Sequence, residues 1–160
     1  MINEKDKKIL DLLSRNCKST TKEMSEKLGL PITTVHNRIK KMEENGIIKN
    51  YMAVIDHKKL GKILQAFIQI SVTYSTSEGK HLSQEDLAKK IYQMPEVEEC
   101  YIMTGTTDIL ISVRVSSVEE LNNFLINKLR VMEGVQNTLT AIVLSDVSYI
   151  SSKPVTRISL

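Results

Sequence analysis

Over the first fifty residues the apolar positions recur every three or four. Ile9, Leu10, Leu12 and Leu13 share a helical spacing. Asn3, with Asp6 three residues on, is placed as the N-cap of the helix that carries them. Thr20 and Glu23 carry the signature of a capping box, which predicts a second helix with Met24 and Leu28 turned inward. That helix stops at Gly29, a residue suited to the left-handed C-cap. A third helix follows within three residues and ends at Asn45-Gly46. Three short helices with a glycine turn between the second and third give a helix-turn-helix layout. After Gly46, IIKNYMAVI alternates loosely, as a strand or small wing does, and HKKLGK has the charge of a linker.

The period then changes from helical to twofold. QAFIQISVTY (65–74) sets Ile68, Ile70 and Val72 on one face, which predicts a strand. LSQEDLAKKIYQM (82–94) places Leu87, Ile91 and Met94 on a helical stripe that Pro95 ends. VEECYIM and DILISVRV read as strands joined by the turn TGTT. VEELNNFLINKLRVM is a second amphipathic helix with Leu121, Phe124, Leu125 and Leu129 inward, closed by Gly134. VQNTLTAIVLSDVSY is expected as a last, long strand. The order strand, helix, strand, strand, helix, strand is a split βαβ sheet with helices on one face. In DILISVRV, Ile109, Ile111, Val113 and Val115 suit the helices, whereas Leu110, Ser112 and Arg114 point away. The mixed second face is open to two readings, solvation or packing on a second copy.

Side-chain chemistry separates the faces of the third helix. At 100° per residue, Val35, Ile39 and Met42 fall within about 60° of arc, with Ile32 beside them. Opposite lie Thr33, Thr34, Asn37, Lys40 and Lys41, flanked by His36 and Arg38. Acids appear only in the last turn, at Glu43 and Glu44. Asn reads adenine in the major groove with two hydrogen bonds, and Thr offers a hydroxyl or a methyl. Lys and Arg neutralise phosphates without reading sequence. A helix-turn-helix enters the groove with the amino-terminal end of its second helix, where Thr33, Thr34 and Asn37 stand. His36 has no carboxylate three or four residues away to orient it, so a flank or phosphate contact suits it better than catalysis. A solvated face in a protein-binding helical domain is the plainer reading of the same residues.

Charge sharpens this picture. Residues 1–63 hold 14 Lys and Arg against 8 Asp and Glu, a balance of +6, and residues 64–160 hold 8 against 11, a balance of −3. The first half is thus the one expected to meet a polyanion. An aromatic fraction of 4% means that the cores are built from Ile, Leu, Val and Met. Cys17 and Cys100 are isolated, which gives neither a disulfide framework nor a metal spacing. The charged amino terminus has no apolar core of a signal peptide. No apolar run approaches the roughly 20 residues that span a bilayer. A cytoplasmic protein without metal or cofactor is expected.

The chain resembles the Lrp/AsnC, or feast/famine, family of prokaryotic transcription regulators. The resemblance rests on DKKILDLL, TKEMSEKLGL, TVHNRIKKMEENGIIKNYMAVID, PEVEECYIMTGTTDILISVRV and GVQNTLTAIVL, in order along nearly the whole chain. It implies an α+β chain: a winged-helix-like helix-turn-helix domain over 1–50, a linker with a short strand over 51–64, and a ferredoxin-like βαββαβ domain over 65–160. In the family this second domain serves effector sensing and oligomerisation. The implied partners are double-stranded DNA, a second copy in a dimer that often assembles into tetramers or octamers, and a small effector such as an amino acid. Two departures stand out. Pro31 occupies a place where family members often have Ser, and Pro offers no side-chain cap. STSEGKH also lengthens the connection after the first sheet strand.

TGTTD (104–108) matches the family's glycine-x-x-aspartate turn, which lines an amino-acid pocket between dimers. Without the family it is a turn in which Gly105 supplies an unusual backbone angle and Asp108 a cap. The resemblance assigns Thr104, Gly105, Thr107 and Asp108 to effector binding, with Thr140 on the last strand as a further wall residue. Exposed amides around Gly105 suit a carboxylate, and Asp108 suits an ammonium. Family members often carry a larger residue where Thr107 stands, so the preferred effector does not carry over. Two rivals remain. One is an architectural DNA packer of low specificity. The other is an enzyme like the siroheme decarboxylases related to the family, for which His81 is the only histidine within 65–160.

Overall fold

The computed structural model describes residues 2–75, 79 and 81–146. The chain divides into two compact units, one running to Val54 and the other spanning Ile55–Ser145.

Three helices build the first unit: α1 (Glu4–Arg15), α2 (Thr21–Leu28) and α3 (Ile32–Glu44). Each start follows from local chemistry. Asn3 accepts from the amides of Lys5 and Asp6 while Asp6 accepts from Asn3 N–H. Thr20 and Glu23 close the same reciprocal box on α2. Gly29 ends α2 at φ 63°, a left-handed angle that costs a residue with a Cβ. The Ser25 hydroxyl then donates to Leu30 O, and Leu30 N–H returns to Ser25 O at 3.2 Å. The entry to α3 is thereby fixed. Ile9, Leu13, Met24, Val35 and Met42 form the buried core, with Leu10, Leu12, Leu28, Leu30, Ile39 and Ile48 packed against it. Ile32 departs from expectation, being 49% exposed. It lies at the edge of the apolar stripe in the first turn of α3.

The second unit carries β1 (Leu64–Val72), α4 (Gln84–Tyr92), β2 (Val97–Ile102), β3 (Ile109–Val115), α5 (Val118–Asn123, continuing in wider π-type turns over Phe124–Leu129) and β4 (Val135–Ile142). The strands lie in the order β2-β3-β1-β4, all antiparallel. Register follows the twofold pattern: Ile68 pairs with Ile111, and Ile70 with Ile109. Ala66, Ile68, Ile70, Ile109, Ile111, Val113 and Val115 are buried with Leu87 and Ile91 of α4 and Leu121, Phe124 and Leu129 of the second helix. The opposite face carries no helix. Phe67, Tyr101 and Leu139 there are 39%, 49% and 65% exposed. Ser112 differs from its neighbours: it is buried on that face, beside Gln65, whose side-chain amide donates to it.

Two expected strands differ. No strand forms between α3 and β1. Residues 49–56 take no regular secondary structure, and His57–Leu60 make a 3-10 turn capped by Asp56. Alternation sets which side chains share a face but does not by itself supply the ladder bonds of a strand. β4 also stops at Ile142, short of Tyr149. Its neighbour β1 begins at Leu64, and after Val143 N–H donates to Gln65 O the partner strand has run out. Residues 147–149 of the expected strand, and 76–78 and 80 of the long connection, lie outside the described residues.

Candidate nucleic-acid interface and effector turn

Pro31 precedes α3 in an extended conformation and makes no side-chain cap. Its carbonyl instead accepts from Val35 N–H at 3.1 Å. The buried stripe of Val35 and Met42 sets what the rest of the helix presents. Thr33, His36, Asn37, Lys40 and Lys41 are exposed, and Thr34 is half-buried. Lys40 reaches Glu44 only at 3.9 Å, both being well exposed, a pairing worth little. Thr34, Asn37 and Lys41 open onto a groove of about 800 Å³ that is also lined by Asn3, Asp6 and Ile47.

Arg38 behaves differently from the other cations of α3. Its Nη1 donates to Asp6 Oδ1 at 2.8 Å and to Asn3 Oδ1 at 3.1 Å. Both partners belong to the N-terminal cap of α1, so one guanidinium ties α3 to the start of α1. Burial pushes the Asp6 carboxyl upward, but the Asn3 amide, the Arg38 guanidinium and the charge of Lys41 together hold it below the usual carboxylate range. Arg38 Nε is buried without a hydrogen-bond partner. Geometry therefore gives Arg38 a positioning role in addition to its charge. The capping pair Asn3–Asp6 is legible in sequence; its link to a residue 32 positions away is not.

Between β2 and β3, Met103 N–H donates to Asp108 O, and Asp108 N–H donates to Ile70 O. These two bonds close the turn and fasten it to β1. Gly105 takes φ 109° at its tip. Among the described residues, the amides of Thr104, Gly105, Thr106 and Thr107 donate to no protein acceptor. Four successive amides without a protein acceptor are donors that an anion can use. Thr107 Oγ1 donates to Gln69 Oε1 at 3.1 Å. The Asp108 carboxylate is engaged on both oxygens: Oδ2 accepts from Val72 N–H at 2.8 Å and Oδ1 from the Tyr74 hydroxyl at 2.7 Å. Gln84 Nε2 donates to Asp108 O at 2.7 Å. Tyr74, Gln84 and Gln69 thus join a turn that sequence reading assembled without them. No local signal marks them, since their partners lie 24 to 38 residues away.

Thr140 is placed elsewhere. It pairs with Ile68 on the helix side of β4, and its hydroxyl is buried without a partner. His57 also changes the inventory of histidines, because it falls within the second unit. It lies 3.6 Å from Glu98, which accepts from Arg114 Nε at 2.7 Å. Among the described residues no three His, Cys, Asp or Glu side chains gather as a metal site, and no helix is long and apolar enough to cross a membrane.

Residues 2–49 match the model of a winged helix-turn-helix DNA-binding domain, and residues 65–152 match that of the Lrp/AsnC ligand binding domain. The chain belongs to the Lrp/AsnC family. Among curated relatives of this Lrp/AsnC chain, the HTH-type transcriptional regulator FL11 of Pyrococcus furiosus is 38% identical over 144 residues, covering 90% of each chain. The transcriptional regulator AzlB of Bacillus subtilis is 32% identical over 155 residues, covering 97% of this chain and 96% of its own. Escherichia coli AsnC superposes with a TM-score of 0.80 at 30% identity, over 92% of this chain and 95% of its own. The regulator NMB0573 of Neisseria meningitidis, solved as an L-Met complex, superposes with a TM-score of 0.84 at 29% identity, over 92% of each chain. Like its relatives, this Lrp/AsnC protein is a DNA-binding transcription regulator and not an enzyme.

Proposed function

We propose that this regulator reads a near-palindromic DNA site with α3, pairs with a second copy through the sheet unit, and responds to a free amino acid bound at the 104–108 turn. The observation that carries the reading is the exposed side of α3. Thr33, Asn37, Lys40 and Lys41 stand away from buried Val35 and Met42, and Thr34 opens beside them. His36 flanks this surface, and Arg38 acts mainly by holding α3 in place. Pairing is supported by the helix-free face, where Phe67, Tyr101 and Leu139 remain exposed. Amino-acid binding is supported by the free amides of Thr104–Thr107 beside the Asp108 carboxylate, with Thr107 shaping the entrance. Thr140 keeps a place in the proposal only as a wall residue contributed to an assembled pocket.

Fluorescence anisotropy of a duplex from the gene's own upstream region, titrated at fixed salt against a random duplex, tests the whole reading. Tighter binding of the upstream duplex that shifts with a mixture of standard amino acids is expected. Equal affinity for both duplexes would instead make the protein a low-specificity DNA packer. Within the same assay Asn37→Ala lowers affinity by roughly 1–3 kcal/mol and relaxes preference at one base pair, leaving random DNA unaffected. Lys41→Ala weakens every duplex alike and reduces the slope of log K against log salt by about 0.9, one phosphate's share. A uniform loss in the Asn37 variant would move the reading contact elsewhere on α3.

A further inference from the structure

The two oxygens of Asp108 are held by groups of different kinds. Oδ2 accepts from the backbone amide of Val72, at the end of β1, a bond that belongs to the fold. Oδ1 accepts from the Tyr74 phenol, which is 49% exposed and donates to nothing else among the described residues. The backbone around that phenol is fastened independently: Thr73 N–H donates to Gly134 O and Leu82 N–H to Tyr74 O. The ring can therefore leave Asp108 by side-chain rotation alone, with the main-chain bonds of Thr73, Tyr74 and Leu82 kept.

We propose that Tyr74 is a stand-in for the effector: its hydroxyl occupies the carboxylate oxygen that the effector's ammonium takes, and binding exchanges one donor for the other. This inference rests on the amino-acid reading of the turn. Both bonds are charge-assisted through the carboxylate, but a primary ammonium brings a full positive charge to that oxygen and so a Coulombic attraction that the neutral phenol lacks. Exchange is favourable for a cationic donor and gains little for a hydroxyl or an amide. The turn thereby selects a ligand with both a carboxylate, for the free amides of Thr104–Thr107, and an unblocked ammonium, for Asp108 Oδ1. Tyr74 sets the threshold: an ammonium must outcompete it, and weaker donors do not. The displaced phenol is then free to report occupancy on the surface beside α4.

The chain has five tyrosines and no tryptophan, so its near-ultraviolet emission is tyrosine emission, which a carboxylate acceptor quenches. Full-length protein is titrated with each of the twenty standard L-amino acids, with binding measured by calorimetry and emission recorded in parallel. The N-acetyl derivative of each one that binds is titrated in the same way. Binding in the parent is expected to raise tyrosine emission, and Tyr74→Phe is expected to remove that rise while binding about two- to tenfold more tightly. N-acetylation is expected to weaken binding by about tenfold or more. Unchanged DNA affinity in Tyr74→Phe confirms that the variant is folded. Binding with unchanged emission, or binding weakened by Tyr74→Phe, overturns the stand-in role while the amino-acid site survives. If none of the twenty binds, the amino-acid reading fails and takes the stand-in with it.

Discussion

Asp108→Ala is expected to abolish any amino-acid response of DNA binding and, in the same step, to destabilise the sheet unit by about 1–3 kcal/mol. Both effects come from one carboxylate. Removing it takes away the charged acceptor proposed for an ammonium. It also strands the half-buried Val72 amide at a place where β1 already shifts register, between Ser71 and Val72. Asp108→Asn separates the two. An amide oxygen still accepts from Val72 N–H, so most of the stability returns, but the charge is gone and the response stays lost. Urea denaturation measures the first quantity and anisotropy with amino acids the second. A full amino-acid response in Asp108→Asn would sink the charge argument, leaving the carboxylate as a turn element. The main-chain bonds from Met103 to Asp108 and from Asp108 to Ile70 remain in either variant, so the β2–β3 connection itself persists.

What could be read from residues alone divides by range. Signals contained within four positions survive folding almost unchanged. The boxes at Asn3–Asp6 and Thr20–Glu23, the glycine turn after Leu28, and the alternation in β3 all appear as the pattern implies. The reason is physical: caps and amphipathic faces are set by the chain's own pitch. Features that depend on a distant neighbour were not legible. The segment after Gly46 alternates, yet no strand forms there among the described residues, because alternation fixes faces and not ladder bonds. β4 reads as longer than it is because its end is set by where β1 begins, about 75 residues earlier in the sequence. At the 104–108 turn the sequence shows Gly105 and Asp108 but hides Tyr74 and Gln84, whose contacts close loops of 34 and 24 residues. On α3 the exposed Asn37 and Lys41 follow from the helical arc, while the capture of Arg38 does not.

That capture yields the second large effect. Arg38→Ala is expected to lower the stability of the helical unit by about 2 kcal/mol and affinity for every duplex by about tenfold. The stability figure sits between exposed ion pairs, worth about 0.2–1 kcal/mol, and buried ones, whose breakage costs about 3–5 kcal/mol, because the Arg38 and Asp6 side chains are 28% and 12% exposed. Affinity falls for two reasons: one positive charge leaves the face of α3, and the helix loses its tether to the cap of α1. A reading helix displaced by even a fraction of an ångström aligns poorly with base edges. Arg38→Lys restores charge and less of the geometry, since an ammonium lacks the rigid planar fork of a guanidinium. The pH dependence has a definite sign. Asp6 titrates below its ordinary value in the fold, so its contribution is complete above the unfolded pKa of about 3.9 and disappears as pH falls through the lower folded value. The gap between parent and variant is therefore full at neutral pH and closes in acid. Hydrogen exchange of the α3 amides measures the gap within this unit alone. Equal protection in parent and Arg38→Ala at pH 7 would show that α3 is held by its apolar stripe and that Arg38 is free for phosphate.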